Sequence, residues 1–292
     1  MRHRALSVLG SLIMMLGALC WIAVDITGVE AAYPGTLTQT EHAQYVAADP
    51  LPTYTFVPPP ASNGQPVRLL VALHGMGGSG ADMAAMVGPQ ATAQGWALLA
   101  PTMPYRDYLD VEQVRRDGEL LPRLRALIDA LPAKTGLTFQ PGVVLFGFSR
   151  GSQEAIRFSL MFPDYTLGVA GLSAGSYTLP ASTYADGRAM RYPFGTSDVD
   201  TICGQKFDAA ATKQVAYWIG VGGADTNVKD VPRQWDALVG TNRLERAQRF
   251  VEILQQFGAR ASFQMFPNAG HEVTDSMRDD AFKFLAGVVA AR

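Results

Sequence analysis

One stretch constrains the fold more than any other: Val143-Val144-Leu145-Phe146-Gly147-Phe148-Ser149-Arg150-Gly151, continuing into Ser152-Gln153-Glu154-Ala155-Ile156-Arg157-Phe158. The apolar run predicts a buried strand, the Gly-x-Ser-x-Gly pentapeptide a sharp turn, and the amphipathic pattern after it a helix. Gly147 and Gly151 carry no Cβ, so strand and helix can approach closely while Ser149 takes a strained backbone conformation with its hydroxyl projecting. The Arg150 N–H and the positive end of the helix face the same point, where negative charge would develop during acyl transfer.

Gly171-Leu172-Ser173-Ala174-Gly175 repeats the spacing and serves as an internal control. Ser176-Tyr177-Thr178-Leu179-Pro180 follows it, and Pro180 argues against a helix there. Ser173 therefore reads as the end of the next strand, near the site but structural.

Strands and helices alternate along most of the chain. Tyr54-Thr55-Phe56-Val57 is a short strand, and Val67 to Leu73 is apolar enough for a strand buried on both faces. A helix over Ala81 to Gln94, the strand Trp96 to Ala100 and a helical pattern over Glu112 to Ala133 come next. After the elbow lie the strand Val215 to Val221, a helix over Asn242 to Phe257, the strand Ala261 to Phe266 and a helix over Asp279 to Ala290. This alternation predicts an α/β fold, a doubly wound, mostly parallel sheet with helices on both faces. The stretch 181–214 lacks periodicity and is expected to form a short cap-like insertion at the carboxyl edge of the sheet. Its aromatic residues Tyr184, Tyr192, Phe194 and Phe207 could line a pocket or pack the insertion onto the body.

A chain of 292 residues, 48% of them hydrophobic, is long enough for one large domain, here 32–292. A net charge of -2 without a basic block argues against a nucleic-acid partner. Met1-Arg2-His3-Arg4 is a basic start and Ala5 to Val24 is apolar throughout, so residues 1–31 read as an export signal or an uncut membrane anchor through 5–24. Both outcomes place the domain outside the cytoplasm, secreted, periplasmic or tethered. The two cysteines are Cys20 and Cys203, and Cys203 reads as a small packed residue.

Val67 to Leu73 leads into His74-Gly75-Met76-Gly77-Gly78, a loop with neither the Lys-Ser/Thr nor the glycine register of a phosphate cradle. It suits an oxyanion loop, with the Met76 N–H partnering that of Arg150 and with His74 orienting the loop. Among the four histidines, His3 lies in the export segment, His42 in the irregular lead-in and His74 in the glycine loop, which leaves His271 on the loop after the last strand. Asp225, just past the strand ending at Val221, is the expected acid, with Asp230 a less well placed competitor. The order Ser149, Asp225, His271, each at a strand end, suits nucleophile, orienting acid and base. Clusters with metal-ligand spacing are absent, and neither a metal nor an organic cofactor is expected.

On His74-Gly75-Met76-Gly77-Gly78, Gly147-Phe148-Ser149-Arg150-Gly151, Gly223-Ala224-Asp225 and Gly270-His271, the chain resembles the α/β-hydrolase superfamily over Val67 to Ala290. Within it, the sequence is similar to exported serine esterases grouped with polyhydroxybutyrate depolymerases and feruloyl esterases, although Arg150 stands where many depolymerases have Ala. The resemblance implies carboxylic ester hydrolysis through an acyl-enzyme, on a small-molecule or polymeric ester. A serine peptidase of the prolyl-oligopeptidase type and a non-catalytic binding protein on the same scaffold are the alternatives. The first usually carries an additional large domain and the second has usually lost a triad member.

Overall fold

The computed structural model describes residues 50–292, and the structural statements below concern those residues. The expected export segment, residues 1–31, lies outside them. No helix among the described residues is long and apolar enough to cross a membrane.

Strands β1 (Tyr54–Val57), β2 (Val67–Leu73), β3 (Ala97–Pro101), β4 (Phe139–Phe148), β5 (Thr166–Leu172), β6 (Ala216–Gly222) and β7 (Arg260–Phe266) form one seven-stranded sheet. Their order is β1-β3-β2-β4-β5-β6-β7, with β1 antiparallel to β3 and the other pairs parallel. The central strand is β4, so the Gly147–Gly151 turn emerges in the middle of the carboxyl edge. Helices α1 (Gly80–Ala93), α2 (Val111–Arg116), α3 (Leu120–Thr135), α4 (Arg150–Met161), α5 (Asp200–Cys203), α6 (Ala209–Thr212), α7 (Asp236–Val239) and α8 (Arg243–Phe257) lie between the strands, and α9 (Asp275–Ala290) follows β7.

The apolar run of β2 is explained by its two buried faces. Leu69, Val71 and Leu73 pack into one core with Leu124 of α3, Ile156 of α4 and Phe250 of α8. Leu70 and Ala72 point the other way, into a second core with Val87 of α1 and Phe282 and Leu285 of α9. Successive side chains of a strand alternate between faces, so a strand covered on both must be apolar at every position.

The helix expected over Glu112 to Ala133 is corrected to two helices, α2 and α3, separated by a turn of 3-10 helix at Asp117–Glu119. Asp117 is fully buried at the break and accepts from the Arg106 N–H and from the guanidinium groups of Arg106 and Arg150. Gly118 abuts the Tyr192 ring, which an ideal Cβ would approach to 3.0 Å. The final helix starts at Asp275 rather than Asp279, because the Thr274 side chain caps it by accepting from Met277 N.

The amphipathic pattern after Ser149 forms the expected helix, α4, and every one of its residues is buried. Residues 174–199 cover its polar side. Arg157 donates to the hydroxyls of Thr178 and Ser176, and Gln153 accepts from Ser176. The covering segment is itself anchored: Tyr177 stacks on Phe250 at 4.2 Å and Phe194 lies 4.4 Å from the Trp235 ring. The buried ion pair Arg115–Asp198 ties it to α2. Tyr192 and Phe194 thus pack the insertion onto the body, and Tyr184 and Phe207 rest half-buried against the same core.

Candidate active site

Ser149 adopts φ 54° and ψ -117°, a conformation that strains any residue with a side chain. The surroundings impose it. An ideal Cβ on Gly147 would lie 2.5 Å from the Gly151 carbonyl oxygen, and one on Gly151 would lie 2.1 Å from the Leu73 carbonyl oxygen. Ser149 N–H donates to Leu172 O at 2.8 Å, and its carbonyl accepts the first helical bond of α4 from Gln153 at 3.2 Å. The hydroxyl is thereby aimed away from the sheet.

His271 Nε2 lies 2.9 Å from Ser149 Oγ, and His271 Nδ1 lies 2.8 Å from Asp225 Oδ2. The two loops that carry His271 and Asp225 are fastened together. Gly223 N–H donates to Phe266 O and Ala224 N–H to Ala269 O, and Gly222 leaves no room for a Cβ, which would sit 2.3 Å from Gly270 O. The His271 side chain is 34% exposed and that of Asp225 2%, so the line runs from solvent into the interior. The Phe148 ring packs against the imidazole with centroids 5.0 Å apart. Asp230 is turned elsewhere: its carboxylate accepts from Asn227 Nδ2 at 2.7 Å.

Asp225 stays ionised although buried. Burial pushes its carboxyl up, but the hydrogen bond to His271 and the charge of Arg243 outweigh it and hold the group below the usual carboxylate range. The Ser173 hydroxyl also holds Asp225 down, although no hydrogen bond of ordinary geometry joins them. Ser173 is fully buried with φ 52°, at the end of β5, and so does not present its hydroxyl as Ser149 does. Arg243, which the sequence reading did not single out, donates from NH1 to Asp225 Oδ1 at 3.1 Å and from NH2 to Asp230 O at 2.7 Å.

On the other side of Ser149 lies the glycine loop. An ideal Cβ on Gly75 would be 3.3 Å from Ser149 Cβ and from the Phe148 ring, so a side chain there would crowd the elbow. Gly75 O accepts from Gly78 N–H across a turn whose third residue, Gly77, has φ 77°. That is the positive φ a type II turn requires at that position. His74 Nε2 accepts from Met103 N–H at 2.9 Å, which leaves Nδ1 to donate to Gly75 O at 2.6 Å. Burial pulls the His74 imidazole down in pKa and keeps it neutral, as a brace for the loop. Met76 sits on this turn with an exposed side chain. The Arg150 N–H is in the first turn of α4, where it has no intrahelical acceptor. A developing oxyanion beside Ser149 would therefore lie near the free N–H of a helix start and the turn that carries Met76.

Beneath the elbow, the Arg150 side chain enters a buried ionic cluster. It donates to Asp117 at 2.6 Å and to Gln153 at 2.6 Å, and pairs with Glu154 at 2.8 Å, while Arg157 reaches the same Glu154 oxygen at 2.7 Å. Burial draws the Arg150 guanidinium down, but Glu154 and Asp117 more than offset it, so the charge is kept. Among the described residues no group of three or more His, Cys, Asp or Glu side chains could hold a metal ion. Cys203 is half-buried, with its thiol pushed up to about 11 by burial. A thiol held so far from ionising is a poor nucleophile.

No protein-family model matches the sequence. None of the curated proteins matches it either. Solved structures do. The fold is similar to poly(aspartic acid) hydrolase-1 from Sphingomonas sp. KT-1, at 22% identity and TM-score 0.59 over 81% of this chain and 92% of that one. It is similar to a phospholipase/carboxylesterase from Dyadobacter fermentans, at 16% identity and TM-score 0.54 over 84% and 99%. Zea mays acyl-protein thioesterase 2 superimposes at 16% identity and TM-score 0.52 over 81% and 98%. Strand order, the serine turn at the end of the central strand and these matches together identify the fold of this chain as that of the α/β-hydrolases.

Proposed function

We propose that the chain is a serine hydrolase of carboxylic esters acting through an acyl-enzyme. The observation that carries this reading is the unbroken line Ser149 Oγ–His271–Asp225, with both hydrogen bonds under 3 Å, in a strained turn at the start of a helix. His271 Nε2 takes the Ser149 proton as Oγ attacks the carbonyl carbon, and the carbonyl oxygen gains the charge that the Met76 and Arg150 N–H groups receive. Collapse of the tetrahedral intermediate breaks the ester C–O bond, and the imidazolium returns its proton to the leaving alkoxide. Water then repeats the sequence on the acyl-serine, releasing acid and free Ser149. Asp225 holds the tautomer with Nδ1 protonated and stabilises the imidazolium. No step calls for a metal or organic cofactor.

The alkaline side of neutrality suits a base that must be unprotonated. The apolar run Ala5 to Val24 supports a place outside the cytoplasm, whether cut or retained as a tether. Because one structural neighbour is named for hydrolysis of poly(aspartic acid), an amide arm belongs in the test. The experiment is turnover of p-nitrophenyl esters of graded chain length and of a peptide p-nitroanilide, alongside labelling by a fluorescent organophosphonate. Ester turnover with Ser149 labelled is expected, with both lost in Ser149→Ala and retained in Ser173→Ala. Labelling that survives Ser149→Ala would overturn the assignment, and anilide turnover exceeding ester turnover would move the substrate to amides.

A further inference from the structure

The cation beside Asp225 is costly where it stands. Arg243 is the first residue of α8, where the N-terminal end of the helix repels positive charge, and it is 4% exposed. A buried guanidinium at a helix start persists only if an anion compensates it. Its one carboxylate partner is Asp225, through Oδ1, and Oδ1 is the oxygen that His271 leaves unused. Its second donor secures Asp230 O, which closes the loop that carries Asp225.

We propose that Arg243 is a positioning residue of the Ser149–His271–Asp225 line, which fixes and neutralises the Asp225 carboxylate and so sets the pH at which the line becomes competent. The proposal rests on the function proposed above. A carboxylate aimed at an imidazole by two loops can rotate about its Cβ–Cγ bond; a guanidinium bonded to the other oxygen removes that freedom. It also divides the field of the carboxylate between two cations once the imidazolium forms. Without it, an uncompensated Asp225 binds a proton more tightly, alone or shared with His271, and both effects act in the same direction on the pair.

The other groups near the pair do not supply this charge. Ser173 at the end of β5 is neutral, and the Tyr177 phenol is buried and kept protonated, its pKa pushed well up by burial. Arg246 on α8 is committed to Asp236 at 2.7 Å, and the Asp230 carboxylate to Asn227. Ser149 touches His271 from the solvent side.

The test is the pH profile of kcat/KM for the full chain carrying Arg243→Gln, which keeps a donor and loses the charge, and Arg243→Lys, which keeps the charge. The acid limb should move to higher pH by about one unit in Arg243→Gln, and lie within a few tenths of wild type in Arg243→Lys. An unmoved limb in Arg243→Gln, with lower thermal stability alone, would overturn the proposal by reducing Arg243 to a structural residue. A second comparison stands if that variant folds poorly: adding Arg243→Gln to Asp225→Asn should lower kcat less than twofold beyond Asp225→Asn alone, because Arg243 acts through the carboxylate. A further tenfold loss there would also overturn it. Phosphonate labelling of wild-type Ser149 separates the two levels: unlabelled wild type removes the functional reading itself, whereas labelled wild type with an unmoved limb removes only the role of Arg243.

Discussion

Removing the Asp117 carboxylate should unbalance the ionic cluster under the elbow, by an amount the geometry allows to be worked out. Two deeply buried guanidinium groups, Arg150 and Arg157, face two fully buried carboxylates, Asp117 and Glu154. Asp117→Ala leaves two buried cations facing the single charge of Glu154, whose one oxygen they already share at 2.8 and 2.7 Å. Breaking a buried pair by removing one partner costs about 3–5 kcal/mol. For a domain of this size that lowers Tm by about 6–20 °C. Arg106, also on Asp117, is 36% exposed and can turn to water and Glu119, so it adds little. Adding Arg150→Ala restores one cation to one anion, Arg157 with Glu154, and should recover a large part of the loss. Urea unfolding of the wild type, both single variants and the double variant gives the coupling directly, expected at about 2 kcal/mol or more. Single-variant losses that add to within about 0.5 kcal/mol in the double variant would refute the charge-balance argument.

Two further outcomes follow from the local geometry. Gly151→Ala places a Cβ 2.1 Å from Leu73 O and must drive α4 away from β2, so kcat/KM should fall at least about 100-fold as Ser149 loses register with His271; wild-type turnover would show that the close approach is not required. Asp225→Asn should lower kcat by up to about 10⁴ through the wrong imidazole tautomer, and Asp230→Asn by little, because only Asp225 reaches His271; the reverse ranking would reassign the acid.

What could be read from the sequence is what local sterics and strand ends dictate. The elbow is legible because its two glycines answer a need for space within five residues, and β2 because both of its faces are covered. The convergence of Ser149, Asp225 and His271 follows from parallel strands, which deliver every following loop to one edge of the sheet. Charged residues in helical patterns were harder, because a charge at helical spacing looks solvated whether or not another segment later covers it. Gln153, Glu154 and Arg157 are polar residues in an amphipathic pattern, and it is contacts from outside the helix, from Ser176 and Thr178 and from the Asp117 turn through Arg150, that make them interior. Arg243 reads as an ordinary first-turn residue of a long helix. The break between α2 and α3 did leave a trace: Asp117-Gly118 followed by Pro122 is breaker chemistry inside a helical pattern.

The buried arginines share a physical task. Loops at the carboxyl edge of a parallel sheet carry the reacting groups but have no ladder to satisfy their backbone carbonyls, and each orphaned carbonyl in the interior would be costly. Arg246 collects the carbonyls of Gly175, Pro232 and Gly240, three separate turns around Asp225. Arg243 takes Asp230 O, and Arg115 takes Tyr192 O while pairing with Asp198. A lysine could not replace them, since one ammonium cannot span acceptors spread over a planar fork. The cost shows at Arg246, whose guanidinium burial pulls down to about 10. The chain therefore spends cationic charge inside the molecule to give irregular loops the fixed geometry that a two-bond proton line requires, with these arginines reaching the loops from the regular elements α2 and α8.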